Sequence, residues 1–202
     1  MRKLVLASNN PGKLREIGAL LAPLAIEVTS QAVLGVGEAA EPHFTFLENA
    51  LAKARHASLA TGLPALADDS GLCVDALGGA PGVQSAYYAG SEGSREERDA
   101  RNNAKLVAAL AGVGDRRAHY YCVMVLVRRA DDPQPIFAEG AWRGEISPAP
   151  RGAGGFGYDP LFYLAERCCT SAELDAQEKN RISHRGQALA KLIARLRDED
   201  RA

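Results

Sequence analysis

An α/β fold is what this sequence predicts, and three observations predict it. Strand-like and helix-like segments alternate along most of the chain. Helix starts are written in capping chemistry, at Asn10-Pro11, at Thr45 with Glu48 and at Ser94 with Glu97. Of 202 residues, 47% are hydrophobic and 24% charged, so there is apolar surface enough for a buried core and too much for wholesale disorder.

Lys3 to Ala7 reads as a short apolar strand, and Ser8-Asn9-Asn10-Pro11-Gly12 as the turn after it. A helix to about Leu24 follows, with Asn10 as N-cap and Pro11 as its first residue; Leu14, Ile17, Leu21 and Leu24 share one face. Glu27 to Gln31 reads as a second strand, and Gly35 to His43 as a loop. The Thr45-Phe46-Leu47-Glu48 capping box opens a helix that Gly62 closes. Pro64 to Ala67 is a short strand ending in Asp68-Asp69-Ser70-Gly71, before the turn-rich Leu77 to Gly82.

Ser94 to Glu97 is a second capping box, for a helix to about Ala111. His119 to Val127 is apolar or aromatic at nearly every position, the mark of a strand covered on both faces. Ile136 to Arg143 is its hairpin partner, turning near Asp132-Pro133. The glycine-rich Arg151 to Tyr158 leads to Asp159-Pro160, and a last helix follows Ser183 with Leu189, Leu192, Ile193 and Leu196 inward. Neither an internal repeat nor a long linker divides the chain, so residues 1–202 read as one domain.

Charge and cysteine content narrow the function. Lys plus Arg is 24 against 25 Asp plus Glu, a net charge of −1, which supplies no global field for a nucleic-acid duplex. The run from Met1 to Ala7 is too short for a signal peptide, and no apolar stretch approaches the ~20 residues of a spanning helix. Cys73, Cys122, Cys168 and Cys169 form no C-x-x-C pair, so the expectation is a cytoplasmic protein without disulfides or zinc.

Five segments carry candidate chemistry. Ser8 to Lys13 is a strand–turn–helix with a lysine, an anion site by its helix N–H groups, though not a Walker A loop; it reads equally as a capped helix with a solvated lysine. Asp68 and Asp69 end a strand and point apart, so that one suits a divalent cation and the other a ligand or base; the alternative is a glycine-closed turn. In the acidic loop Glu48 has a capping role, which leaves Glu41 as the second metal ligand. Phe156, between glycines, suits stacking on a flat base, with Asp159 accepting from ring N–H groups; equally it suits the core. Lys179, His184 and Arg185 are donors for a carbonyl oxygen or phosphate near a helix start.

Taken in order, Ser8-Asn9-Asn10-Pro11-Gly12-Lys13, Thr45 to Ala50 with Lys53-Ala54, Ala67 to Leu72, Leu77 to Gly82, Gly155 to Pro160 and Ile182 to Gly186 resemble the inosine/xanthosine triphosphate pyrophosphatase family over nearly the whole chain. The resemblance implies an elongated, twisted mixed sheet with flanking helices and two lobes around a central cleft. It implies Mg²⁺-dependent cleavage between the α and β phosphates of non-standard purine nucleoside triphosphates (ITP, dITP, XTP, dXTP), and a homodimer. It makes Asp69 the general base and, with Glu41, a metal ligand. It assigns substrate contacts to Ser8, Asn9, Asn10, Pro11, Gly12, Lys13, Ser70, Phe156, Gly157, Tyr158, Asp159, Lys179, His184 and Arg185. Family members often have two acidic residues in a row before the second helix; here Ala40 precedes Glu41. Three rival readings are a broader triphosphate pyrophosphatase, a nucleotide sensor without turnover, and a single-strand nucleic-acid binder, which the near-zero charge disfavours.

Overall fold

The structure, a computed structural model, describes residues 3–24 and 26–199, without the side chains of Leu24 and Glu199. Met1 and Arg2, and the expected inward position of Leu24, lie outside the described residues. Seven strands form one mixed sheet in the order β2-β1-β3-β4-β5-β6-β7. They are β1 (Lys3–Leu6), β2 (Glu27–Ser30), β3 (Ala65–Val74), β4 (Arg117–Val127), β5 (Ile136–Ile146), β6 (Phe162–Leu164) and β7 (Cys169–Thr170). The helices are α1 (Pro11–Leu21), α2 (Phe46–Thr61), α3 (Arg95–Ala109), α4 (Ala176–Ile182) and α5 (His184–Glu199). β1 runs parallel to β2 and β3, whereas β6 is antiparallel to β5 and β7.

The chain forms two compact units. Unit 1 takes residues 1–69, 122–140 and 184–202, and unit 2 takes 70–121 and 141–183. Each has its own core. In unit 1, Leu4, Leu6, Leu66, Met124 and Leu126 of the strands pack with Ile17 and Leu21 of α1 and Leu189 and Leu192 of α5. In unit 2, Leu72, Val74, Leu106, Leu110, Trp142, Leu161 and Phe162 fill the interior. Each fully buried leucine or isoleucine contributes about 1.5–3 kcal/mol relative to exposure.

Local chemistry sets most helix ends. The Asn10 side chain accepts from the Gly12 and Lys13 N–H groups, Pro11 occupies the first helical position, and α1 stops before Ala22-Pro23, where proline has no N–H to continue. Ser94 and Glu97 form the full reciprocal box at α3. At α2 the box is altered: Thr45 Oγ1 accepts from the Glu48 N–H, while the Glu48 carboxylate bonds the Thr45 hydroxyl. Gly62 closes α2 in the left-handed region, φ 68°. Ile193 and Leu196 of α5 join Leu189 and Leu192 against the core, as the helical spacing implied.

Three departures from the sequence reading stand out. β3 does not end at Ala67 but continues through Asp68-Asp69-Ser70-Gly71 to Val74. Its place between β1 and β4 overrides the turn propensity of that tetrapeptide, and the absence of a side chain at Gly71 is used for close approach: a Cβ there would lie 2.2 Å from the Gly82 carbonyl oxygen. Both faces of β4 are covered only from Cys122 to Val127; before that buried and half-buried positions alternate. The third departure is that β6, β7 and α4 left no periodic signal, being three, two and seven residues long. Among the described residues the four cysteines are free thiols, and no helix is long and apolar enough to cross a membrane.

Candidate functional site

Side chains alternate along a strand, so Asp68 and Asp69 of β3 face opposite ways. Their surroundings in unit 1 differ accordingly. Asp68 is fully buried. Its Oδ2 lies 3.0 Å from Lys13 Nζ of α1 and 3.3 Å from both Nε and Nη2 of Arg185 in α5. Arg185 Nη1 pairs in turn with Glu16, one helical turn beyond Lys13. This is a balanced set of two carboxylates and two cations. Burial alone would raise the Asp68 pKa; Lys13, then Arg185, then Lys53 outweigh it and hold the carboxyl well below the usual range.

Asp69 meets the other kind of surroundings. Its Oδ1 accepts from Lys53 Nζ of α2 at 2.8 Å, and Lys53 Nζ is also 3.4 Å from Glu41 Oε2. Asp69 Oδ2 is buried and has no hydrogen-bond partner among the described residues. Burial raises the Asp69 pKa, and the nearby Glu41 charge adds to the rise, against the opposing pull of Lys53 and Lys13. Lys53 is itself held charged: burial would lower its pKa, but Asp69, Glu41 and Asp68 raise it. Adjacent carboxyls are thus driven in opposite directions, the arrangement that separates a permanent anion from a proton acceptor.

The two expected metal ligands, Glu41 and Asp69, therefore meet on one lysine. Two carboxylates on a single ammonium leave a surplus negative charge, and the orphaned Asp69 Oδ2 is a hard oxygen donor beside it. That donor set fits Mg²⁺, which takes one or two carboxylates and keeps waters and phosphates for its remaining positions. Among the described residues no group of three or more His, Cys, Asp or Glu is gathered to enclose an ion.

The N–H groups in the first turn of α1 are engaged within the helix, as in the capped-helix reading: Pro11 has none, Gly12 and Lys13 give theirs to Asn10 Oδ1, and Leu14 bonds the Asn10 carbonyl at 3.0 Å. The Lys13 ammonium of the same turn is turned to Asp68, 3.0 Å from Oδ2 and 3.4 Å from the backbone carbonyl oxygen. Ser8 Oγ accepts the Asn10 N–H at 3.2 Å, and Asn9 Oδ1 accepts from Gln31 Nε2 at 3.2 Å. Ser70, next on β3, is half-buried, and His184 is buried at the head of α5.

Unit 2 gathers another group of the expected residues. Phe156 is half-buried, with Lys179 Nζ 5.2 Å and the Arg95 guanidinium 5.0 Å from its ring centre. Asp159 does not wait for ring N–H groups of a base. Its carboxylate already accepts from the Phe156 N–H at 2.8 Å, Lys179 Nζ at 2.6 Å, and the Ser171 hydroxyl at 2.8 Å, with the Tyr120 hydroxyl at 3.5 Å. Lys179 is on α4, buried against that carboxylate, and not at the start of α5. The Tyr158 ring is core, its hydroxyl donating to the Ser85 carbonyl at 2.9 Å. Gly157 is tied by its backbone to Asp99 and Asn103 of α3.

Lys53, Glu16, Arg95 and Asp99 are site neighbours that sequence reasoning did not select. A signal existed for Lys53: with Asn49, Ala50, Ala54 and Ala57 it falls on the buried face of α2, where a lysine needs a partner.

The model of the Ham1 family matches residues 4–195, and the chain belongs to that family. It is 65% identical over 200 residues to a dITP/XTP pyrophosphatase of Nitrosomonas europaea, covering 99% of this chain and 97% of the relative. It is 66% identical over 197 residues to a dITP/XTP pyrophosphatase of Ralstonia nicotianae, covering 98% of each. The solved HAM1 protein from Coxiella burnetii superposes with a TM-score of 0.88 at 48% identity, over 98% of this chain and all of that one.

Proposed function

We propose that this chain hydrolyses non-standard purine nucleoside triphosphates, of the dITP, ITP and XTP kind, to the monophosphate and pyrophosphate. The observation that carries this reading is Asp69: a buried carboxylate with raised proton affinity, one oxygen fixed by Lys53 and the other without a protein partner. A general base needs that combination of orientation and basicity, and a well-placed one contributes roughly 10²- to 10⁴-fold. Asp69 takes the proton of the attacking water. Lys53 fixes the carboxylate's direction, and Lys13 offers positive charge to the polyphosphate. Asp69 and Glu41 would hold Mg²⁺. Bound there, the ion supplies charge neutralisation for the phosphates and a more acidic water.

Phe156 is the stacking residue we assign to the purine, with Lys179 beside it. Ser8, Asn9, Ser70 and the backbone of Gly157 are assigned to the substrate by the same resemblance. His184 is the donor assigned to a 6-oxo group, which hypoxanthine and xanthine carry where adenine has an amino group; the resemblance assigns Arg185 there too, although its guanidinium is already engaged with Asp68 and Glu16. A homodimer in the cytoplasm is the proposed setting, and sedimentation measures the assembly. The test of the activity is pyrophosphate release from inosine, xanthosine and the four standard triphosphates, each with Mg²⁺ and with EDTA. Turnover confined to the first two and abolished by EDTA is expected; equal rates on adenosine triphosphate, or full activity in EDTA, contradict the reading.

A further inference from the structure

The residues around Phe156 repeat one device twice. Two successive N–H groups, of Phe156 and Gly157, donate to two different carboxylates, Asp159 at 2.8 Å and Asp99 at 2.9 Å. Each carboxylate is paired with a cation, Lys179 at 2.6 Å and Arg95 at 3.8 Å. Both cations lie about the Phe156 ring, at 5.2 Å and 5.0 Å from its centre. Asp159 and Lys179 belong to the segments already assigned. Asp99 and Arg95 come from α3, and one helical turn further along the same face Asn103 Nδ2 donates to the Gly157 carbonyl at 2.9 Å. One face of α3 thus holds both backbone groups of Gly157 and places a planar cation against the ring that precedes it.

Asn103 commits its side-chain amide to this loop. Its Nδ2 serves Gly157, but its Oδ1 is buried with no hydrogen-bond partner among the described residues. An apolar side chain of similar volume would relieve that acceptor but leave the Gly157 carbonyl without its donor, so what Asn103 supplies is its bond to the loop.

The geometry points to Asp99 and Asn103 as positioning residues for the nucleobase. They set the conformation of the Phe156-Gly157 backbone, Asp99 pairs with Arg95 beside the ring, and together they determine how firmly a purine is held, with no part in the hydrolytic step. This rests on the reading of Phe156 as the stacking residue, and the experiment separates the two. Steady-state hydrolysis of inosine triphosphate, inhibition by pyrophosphate alone and thermal melting are compared for wild type, Phe156→Ala, Asp99→Ala, Asp99→Asn and Asn103→Leu.

Phe156→Ala raises KM if that ring carries the base; an unchanged KM there removes the stacking reading and this inference with it. Given that rise, Asp99→Ala is expected to raise KM about tenfold, the scale of a stacked base, while kcat stays within about twofold. Asp99→Asn keeps an oxygen toward the Gly157 N–H and restores most of the affinity. Asn103→Leu raises KM in the same sense. Pyrophosphate inhibition is the same in all. Unchanged KM in Asp99→Ala and Asn103→Leu overturns the assignment. So does a parallel loss of triphosphate and pyrophosphate affinity, which marks general disruption.

Discussion

Asp68 and Asp69 are chemically identical and adjacent, and their environments make them different groups. The Asp68 pKa is held below its ordinary value of 3.8, so between the folded and unfolded values the unfolded chain binds the proton and the folded chain does not. Asp68 therefore contributes stability that is fully present above that ordinary value and is lost as pH falls below it through the folded value. Asp69, with its raised pKa, acts in the opposite sense and lowers stability as pH rises above 3.8. Thermal melts from neutral to strongly acid pH are predicted to show an acid-side fall in melting temperature that is shallower in Asp68→Asn. An equally steep fall in that variant would contradict the pairing with Lys13 and Arg185. Both aspartates were legible as candidates, because two carboxylates beside an apolar strand are unusual in the sequence itself. Their division of labour was not: it depends on Lys13, Lys53 and Arg185, which stand 55, 16 and 117 residues from their partners.

Elements were legible where their ends are made locally. Asn10-Pro11, Ser94 with Glu97, and Gly62 are complete instructions within four residues, and α1, α2 and α3 start or stop there. The course of β3 past Ala67 was hidden because Asp-Asp-Ser-Gly has turn propensity and only pairing with neighbours in the sheet overrides it. Gly140 in β5 was similarly silent. A Cβ at Gly140 would stand 2.1 Å from the His184 carbonyl oxygen and 2.8 Å from the Ala188 nitrogen, both backbone atoms of α5. The fit of α5 on β5 thus depends on that missing side chain. Gly140→Ala is predicted to destabilise by about 1–3 kcal/mol in urea unfolding, as overpacking does. A midpoint equal to wild type would show that α5 is not held so closely.

For the molecule as a whole, the alternation of strands and helices gave the fold class, and the ordered motifs gave the family, since each is carried by many residues at once. The candidate groups are a different matter, because each is made of pairings between segments remote in the chain. In unit 1 Glu41 and Asp69 converge on Lys53; in unit 2 Phe156 is framed by Arg95 and Lys179, and Asp159 is turned inward to organise its loop. These pairings change neither composition nor periodicity; only Lys53, on the buried face of α2, leaves a trace of its own in the sequence. The account as a whole depends on the Asp69 carboxylate acting as the proton acceptor. The most direct test is steady-state pyrophosphate release from dITP with Mg²⁺ by wild type and Asp69→Asn, with inosine monophosphate binding measured alongside. The account predicts a fall of at least about 100-fold in kcat with the monophosphate still bound, and a variant turning over near the wild-type rate would contradict it.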